Sequence, residues 1–202
     1  MALDTYANLK ASIADFLNRD DLTSVIADFV TLAEARMQRD LGDHYLRQAR
    51  TTFTVDGQFE DVPADFFSPV RISLQGQHRP LELMSLHEIQ ARRDGCNDEI
   101  GEPLFYAING GDFEFWPTPN DTYTADLLYV QTIPALSDSN TSNWVLSQGP
   151  DVYLYGSLIQ SAPYLRDDER LTAWAALYQS GIDGMNMASK AARFGGSGLK
   201  MR

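Results

Sequence analysis

Apolar residues recur at helical spacing at the start of the chain and then change rhythm. Tyr6, Leu9, Ile13, Phe16 and Leu17 fall on one face of a helix, with Asp4 or Thr5 placed to cap its N-terminus. The polar run from Asn18 to Asp21 breaks the pattern. Leu22, Val25, Ile26, Phe29, Leu32, Ala33 and Met37 then form a second apolar stripe. Arg36 and Arg39 sit near its end, where the helix dipole favours cations, and Gly42 stops it. These residues predict two amphipathic helices joined as an antiparallel hairpin.

From Arg47 the period shortens to two, as Ala49, Thr51, Phe53 and Val55 alternate with polar residues up to the Asp56-Gly57 turn. Further strands are expected over 69–74, 79–83, 104–109, 113–116 and 122–133, separated by Gly76, Gly110-Gly111 and the Pro117–Asp121 run. Ser85 and Glu88 form a capping box, which predicts a helix over Leu86–Arg93. The Asn109–Asp112 junction predicts a hairpin.

Helical period returns at Pro150, a residue suited to a first helical position. Val152, Tyr153, Leu154, Tyr155, Leu158 and Ile159 are apolar on nearly every side, as in a buried central helix, and Pro163 stops it. Asp167-Asp168-Glu169 marks the next helix start. Leu171, Trp174, Ala175, Tyr178, Ile182 and Met185 continue it towards Ala192, before Gly195-Gly196-Ser197-Gly198. The fold class is therefore α+β: a helical bundle of two N-terminal and two C-terminal helices with an inserted antiparallel β section. Residues 1–45 and 148–194 are assigned to a discontinuous bundle, 46–147 to the insert with its one short helix, and 195–202 to a flexible C-terminal tail.

Composition narrows the class. The chain has 202 residues, 44% hydrophobic and 22% charged, which is an ordinary globular balance at a length that folds without disulfide or metal. Its one cysteine, Cys96, fits a reducing compartment. The opening residues lack the basic and apolar regions of a secretory leader, and no apolar run reaches the ~18 residues needed to cross a bilayer. No membrane partner is expected.

The formal net charge is −12, which argues against a DNA clamp, because affinity for phosphates comes from Lys and Arg. Its distribution says more. Residues 94–165 hold ten acids and neither Lys nor Arg, whereas residues 190–202 hold Lys190, Arg193, Lys200 and Arg202 and no acid.

Candidate chemistry is sparse. His44, His78 and His87 fall in three different elements, without zinc or iron spacing. Gly156-Ser157 lies inside a helix rather than on a nucleophile elbow, so close helix packing is its expected role. There is neither a dinucleotide-binding glycine motif nor a P-loop. Asp94, Asp98, Glu99 and Glu102 lack the order of a calcium loop, with Phe105 where the bidentate glutamate belongs. A glycosidase-like carboxylate pair stays open, but nothing selects one. Phe113, Phe115, Trp116 and Tyr123 form either a stacking platform for sugars or bases or the packed face of a sheet, and their alternation with polar residues favours the sheet. No catalytic residue, cofactor or metal is assigned.

One ordered series of short motifs carries a resemblance. It opens with Tyr6-Ala7-Asn8-Leu9-Lys10 and Phe16-Leu17-Asn18-Arg19-Asp20-Asp21-Leu22. It continues through Trp116-Pro117-Thr118-Pro119, Leu127-Leu128-Tyr129, Ile133-Pro134-Ala135-Leu136-Ser137-Asp138 and Asn143-Trp144, then Asp151-Val152-Tyr153-Leu154-Tyr155-Gly156 and Ala162-Pro163-Tyr164-Leu165-Arg166-Asp167-Asp168. In these, over nearly its whole length, the chain resembles the head-to-tail adaptor proteins of tailed bacteriophages. The motifs mark packing and turns, and none is catalytic.

The resemblance implies a non-enzymatic virion protein, assembled in the host cytoplasm and built into the head–tail neck. It implies a ring, usually twelvefold, beneath the portal protein, a platform for tail, nozzle or stopper proteins, and a channel through which viral DNA passes without specific binding. It also implies portal docking by the C-terminal segment, here Lys190, Arg193, Phe194, Leu199, Lys200, Met201 and Arg202. Trp116, Tyr123, Trp144 and Tyr164 are expected in the core or at subunit interfaces. The cation-free 94–165 stretch suits a channel wall that must not grip DNA. The alternatives are another neck protein, either a stopper or a tail-completion subunit, and a carbohydrate-binding or hydrolytic β module.

Overall fold

The structure, a computed structural model, describes residues 3–19, 21–77, 79–96, 99–165 and 169–194. They form two compact units, one of 1–47 with 133–202 and one of 48–132.

The first unit is helical. Helix α1 (Tyr6–Leu17) is capped by Thr5, whose side chain accepts from the Asn8 N–H, and it ends at Asn18 with φ of 50°. Helix α2 spans Ile26–Asp40, starting four residues after Leu22, which is nonetheless buried. Gly42, at φ +47°, follows it. Helix α5 (Pro150–Gln160) packs against α1, α2 and α6 (Arg170–Phe194). Leu9, Ile13, Phe29, Val30, Ala33, Val152, Tyr153, Leu158 and Tyr178 build the core.

The insert ends earlier than the pattern predicts. Ile133, Leu136, Val145 and Leu146 are buried in the helical core, so 133–147 belongs to the helices rather than to the β section. This segment includes a short helix, α4 (Trp144–Gln148), capped by Asn143, whose side chain accepts from the Leu146 N–H at 2.9 Å. Five residues with two apolar side chains inward are too few for periodicity to reveal.

Among its described residues, the second unit, 48–132, holds nine strands and a helix. β1 (Gln48–Val55) and β3 (Phe66–Leu74) flank β9 (Tyr123–Gln131) in an antiparallel three-stranded sheet. A second sheet runs β2 (Phe59–Asp61), β7 (Asp112–Trp116), β6 (Phe105–Asn109) and β4 (Glu82–Leu83). Its β6–β7 hairpin has the predicted turn, with Gly110 at φ +65°. Not all the pairing is antiparallel: β4 runs parallel to β6, and β5 (Ile100–Gly101) parallel to β8 (Thr118–Pro119). Helix α3 (Leu86–Cys96) extends beyond Arg93 and starts on the expected capping box, in which Ser85 N–H donates to Glu88 at 3.0 Å and Glu88 N–H to Ser85 Oγ at 3.2 Å. Val55, Ile72, Leu74, Phe113, Phe115, Ala125 and Leu127 form this unit's core.

Candidate assembly surfaces and buried polar anchors

Helix α6 is laced to the end of α2 and to the segment that follows it. Asn186 donates to the Asp40 carbonyl at 3.2 Å, the Tyr178 hydroxyl to Asp40 Oδ2 at 2.8 Å, and the Tyr45 N–H to Ser189 Oγ at 3.1 Å. Arg193 donates to Asp43 Oδ2 at 2.7 Å, and this bond holds the Asp43 carboxyl below its ordinary range. Asp43 is largely exposed, so the pair contributes position more than stability. Lys190 and Arg193 line a cleft of about 330 Å³ together with Asp43, His44 and Ser189. Of the docking residues named above, Lys190 is exposed, Arg193 is tied to Asp43 and Phe194 closes α6. Leu199, Lys200, Met201 and Arg202 lie outside the described residues.

At the floor of this cleft His44 is buried, stacked between Tyr45 at 5.0 Å and Trp144 at 4.8 Å. Burial pushes its pKa down, so the ring is held neutral. Beside it Arg47 is fully buried and donates to the carbonyls of Gln38 and Gly42, satisfying the C-terminal end of α2 with a cation where the dipole is negative. Tyr164 stays about half exposed, with its ring edge-on to Phe29 at 5.3 Å.

In the β unit Trp116 is buried beside Ile89 and Ala107, with the Arg92 guanidinium over its ring at 5.4 Å. Tyr123 is partly buried, and its hydroxyl donates to Asn120 at 2.6 Å. Phe113 and Phe115 are fully buried. Phe113 and Phe115 thus pack on one face of β7 and Trp116 on the other, so these rings are packing residues and form no single stacking platform for a sugar or a base.

The anchor that sequence reasoning missed is Glu114. It lies between Phe113 and Phe115 on the face opposite the aromatic core, where alternation predicts solvent. It is instead fully buried, and accepts from Gln90 at 2.9 Å, Gln58 and Arg93 at 3.2 Å each and Asn109 at 3.4 Å. These donors come from α3, β6 and the β1–β2 turn, so one carboxylate ties four pieces of chain together. Arg93 also donates to Thr118 Oγ1 at 3.0 Å and to the Phe115 carbonyl at 3.3 Å. The signal was available in part: Arg92-Arg93 on a helix beside an acid in an apolar strand.

The acidic stretch 94–165 divides between the two units, 94–132 in one and 133–165 in the other. Among the described residues, at least three of its ten acids have cationic partners: Glu114 with Arg93, Asp126 with Arg50 at 3.4 Å and Asp138 with Lys10 at 3.1 Å.

No group of three or more His, Cys, Asp or Glu among the described residues is arranged to hold a metal ion. No helix among them is long and apolar enough to cross a membrane. The family profile of the SU10 adaptor protein matches residues 4–200. The chain belongs to the SU10 adaptor protein family. SU10 adaptors are structural phage proteins rather than enzymes, which makes this chain a virion component that works through contact with other head and tail proteins. No curated protein matches the chain. Membership spans both units, so the helices and the β section alike belong to the adaptor.

Proposed function

We propose that the protein forms a ring, of twelve copies by the resemblance of its motifs, beneath the portal of the filled head. There it joins the capsid to tail, nozzle or stopper proteins and lets viral DNA pass through its channel. The family match over residues 4–200 carries this reading. Three observations support it. A net charge of −12 and the lack of any Lys or Arg over 94–165 suit a protein that DNA passes without being held. Glu114 and Arg47, both fully buried, are engaged in hydrogen bonds within the protein. And the basic C-terminal end of α6 is fixed to the body through Asp40, Asp43 and Ser189, so that whatever follows Phe194 starts from a defined place.

The segment from Lys190 onward docks on the portal in this reading, with Lys190 and the charges beyond Gly195 meeting acidic portal surface. Mixing the protein with its purified portal and running size exclusion tests the ring: co-migration with a ring visible by electron microscopy is the expected result, and a portal that stays bare refutes it. Removing residues 195–202 is expected to leave far-ultraviolet circular dichroism unchanged and to weaken portal attachment. Attachment equal to that of the full chain refutes the docking role. A stopper, by contrast, would bind one layer below and not touch the portal.

A further inference from the structure

The strands of the β unit do not end alike. β4 and β2 close the four-stranded sheet with two and three residues, too short to template another strand. β3, one edge of the three-stranded sheet, is blunted by Pro69 and by two register shifts, at Phe66/Ser68 and Pro69/Arg71. β1, the other edge, has neither device. It runs eight residues in unbroken register against β9, from Gln48 opposite Val130 to Val55 opposite Tyr123. It contains no proline and one charge, Arg50.

Every second residue of such a strand turns its N–H and C=O away from its neighbour. On β1 these groups meet no other strand among the described residues. The side chains agree. On the packed face of β9, Ala125 and Leu127 are fully buried, whereas Ala49, Thr51 and Phe53 on the same face of β1 are only half-buried. Phe53 stacks on Phe113 at 5.8 Å with its outer side uncovered by a further strand. A strand laid beside β1 would extend the sheet and cover that flank.

We infer that β1 is a docking edge that takes up an extended segment of another head or tail protein by strand addition. This rests on the adaptor reading above. The segment alternates apolar residues, over Thr51 and Phe53, with polar ones that include an acid to join Arg50, which already pairs with Asp126 at 3.4 Å but is largely exposed. On its outer face β1 presents Gln48, Arg50, Thr52 and Thr54, and Arg71 lines the same sheet face, in a cleft of about 460 Å³ shared with Arg50 and Asp126. A second copy fits this less well. Its β1 would bring another arginine to the row, its acid-bearing β2 spans three residues, and its β3 carries Pro69.

Residue-resolved hydrogen exchange on the isolated chain and on purified virions tests the inference without a variant. In isolation, alternate amides of Gln48–Val55 exchange fast while those of β9 are protected. In the virion that fast set slows by at least about tenfold, in the same alternate pattern, and the amides of β3 do not change. A virion that contains the chain by mass spectrometry but leaves the β1 amides fast overturns the docking edge and leaves the adaptor reading standing. A virion without the chain overturns both. Protection that grows with the concentration of the isolated chain makes a second copy the occupant and overturns the assignment to another protein. For the stated chemistry, Arg50→Lys retains incorporation into virions and Arg50→Glu lowers it several-fold; equal incorporation removes the requirement for an acid.

Discussion

Glu114 makes the sharpest prediction about how the β unit is held. Replacing it by alanine leaves the Arg93 guanidinium, whose side chain is only 10% exposed, without its carboxylate, and removes the acceptor shared by Gln58, Gln90 and Asn109. Breaking one partner of a buried pair costs about 3–5 kcal/mol. Arg93 keeps its bonds to Thr118 and Phe115, which places Glu114→Ala near the lower end, at about 3 kcal/mol. Glu114→Gln keeps one accepting oxygen but turns an NH₂ group towards donors, at about 1–2 kcal/mol. The double variant Glu114→Leu, Arg93→Met removes both charges and should recover a large part of the loss, since a buried pair exchanged for apolar residues is near neutral. Urea unfolding followed by circular dichroism reads all three. With a slope of ~1–3 kcal/mol/M, Glu114→Ala lowers the midpoint by at least about 1 M. A Glu114→Ala midpoint within about 0.3 M of wild type, or a double variant that merely adds the two single losses, would show that the network is not what anchors α3 to the hairpin.

Three further outcomes follow from the helical unit. A Cβ on Gly156 would meet Tyr178 at 3.2 Å and Ala33 at 3.4 Å, so Gly156→Val should overpack the centre of α5 and cost about 1–3 kcal/mol in thermal melts; an unchanged or higher melting temperature refutes that tight approach. His44 is neutral in the folded state because burial lowers its pKa, while the unfolded chain binds a proton near the ordinary value of 6.5. Its contribution is therefore complete above that pH and drains away as pH falls below it, and His44→Phe should flatten stability against pH below about 6.5. Glu34 has the opposite sign: burial raises its pKa, although its carboxylate accepts from Leu136 N–H at 2.7 Å and the Tyr153 hydroxyl at 3.0 Å. The folded state then holds the extra proton, so stability falls as pH rises from the ordinary Glu pKa through the raised one. Glu34→Gln should remove that decline and be neutral or slightly stabilising at pH 7, measured by urea midpoints at pH 4, 5.5 and 7; a large loss at pH 7 would mean the charge itself is needed.

The sequence alone determined whatever depends on neighbours in the chain. Helical stripes, the Ser85–Glu88 box, Pro150 at the first position of α5 and the Gly110 turn are local, because capping and periodicity act over three or four residues. So did the ordered motifs that point to the adaptor family, which the match over residues 4–200 bears out. What tertiary structure decided is where covering elements come from. Alternation placed Glu114 outside its strand, and only the packing of α3 over that face turned it into a buried anchor. The boundary at 133 likewise followed from burial of Ile133 and Leu136 among helices far away in sequence. His44 and Arg47 look like ordinary surface polar residues until α2, α4 and α6 close around them, and the parallel pairs β4–β6 and β5–β8 are too short to leave a period. Even charge needed the fold: a stretch with ten acids and no Lys or Arg reads as one feature along the chain, but side chains answer to their neighbours in space, and there Arg93, Arg50 and Lys10 already claim three of them.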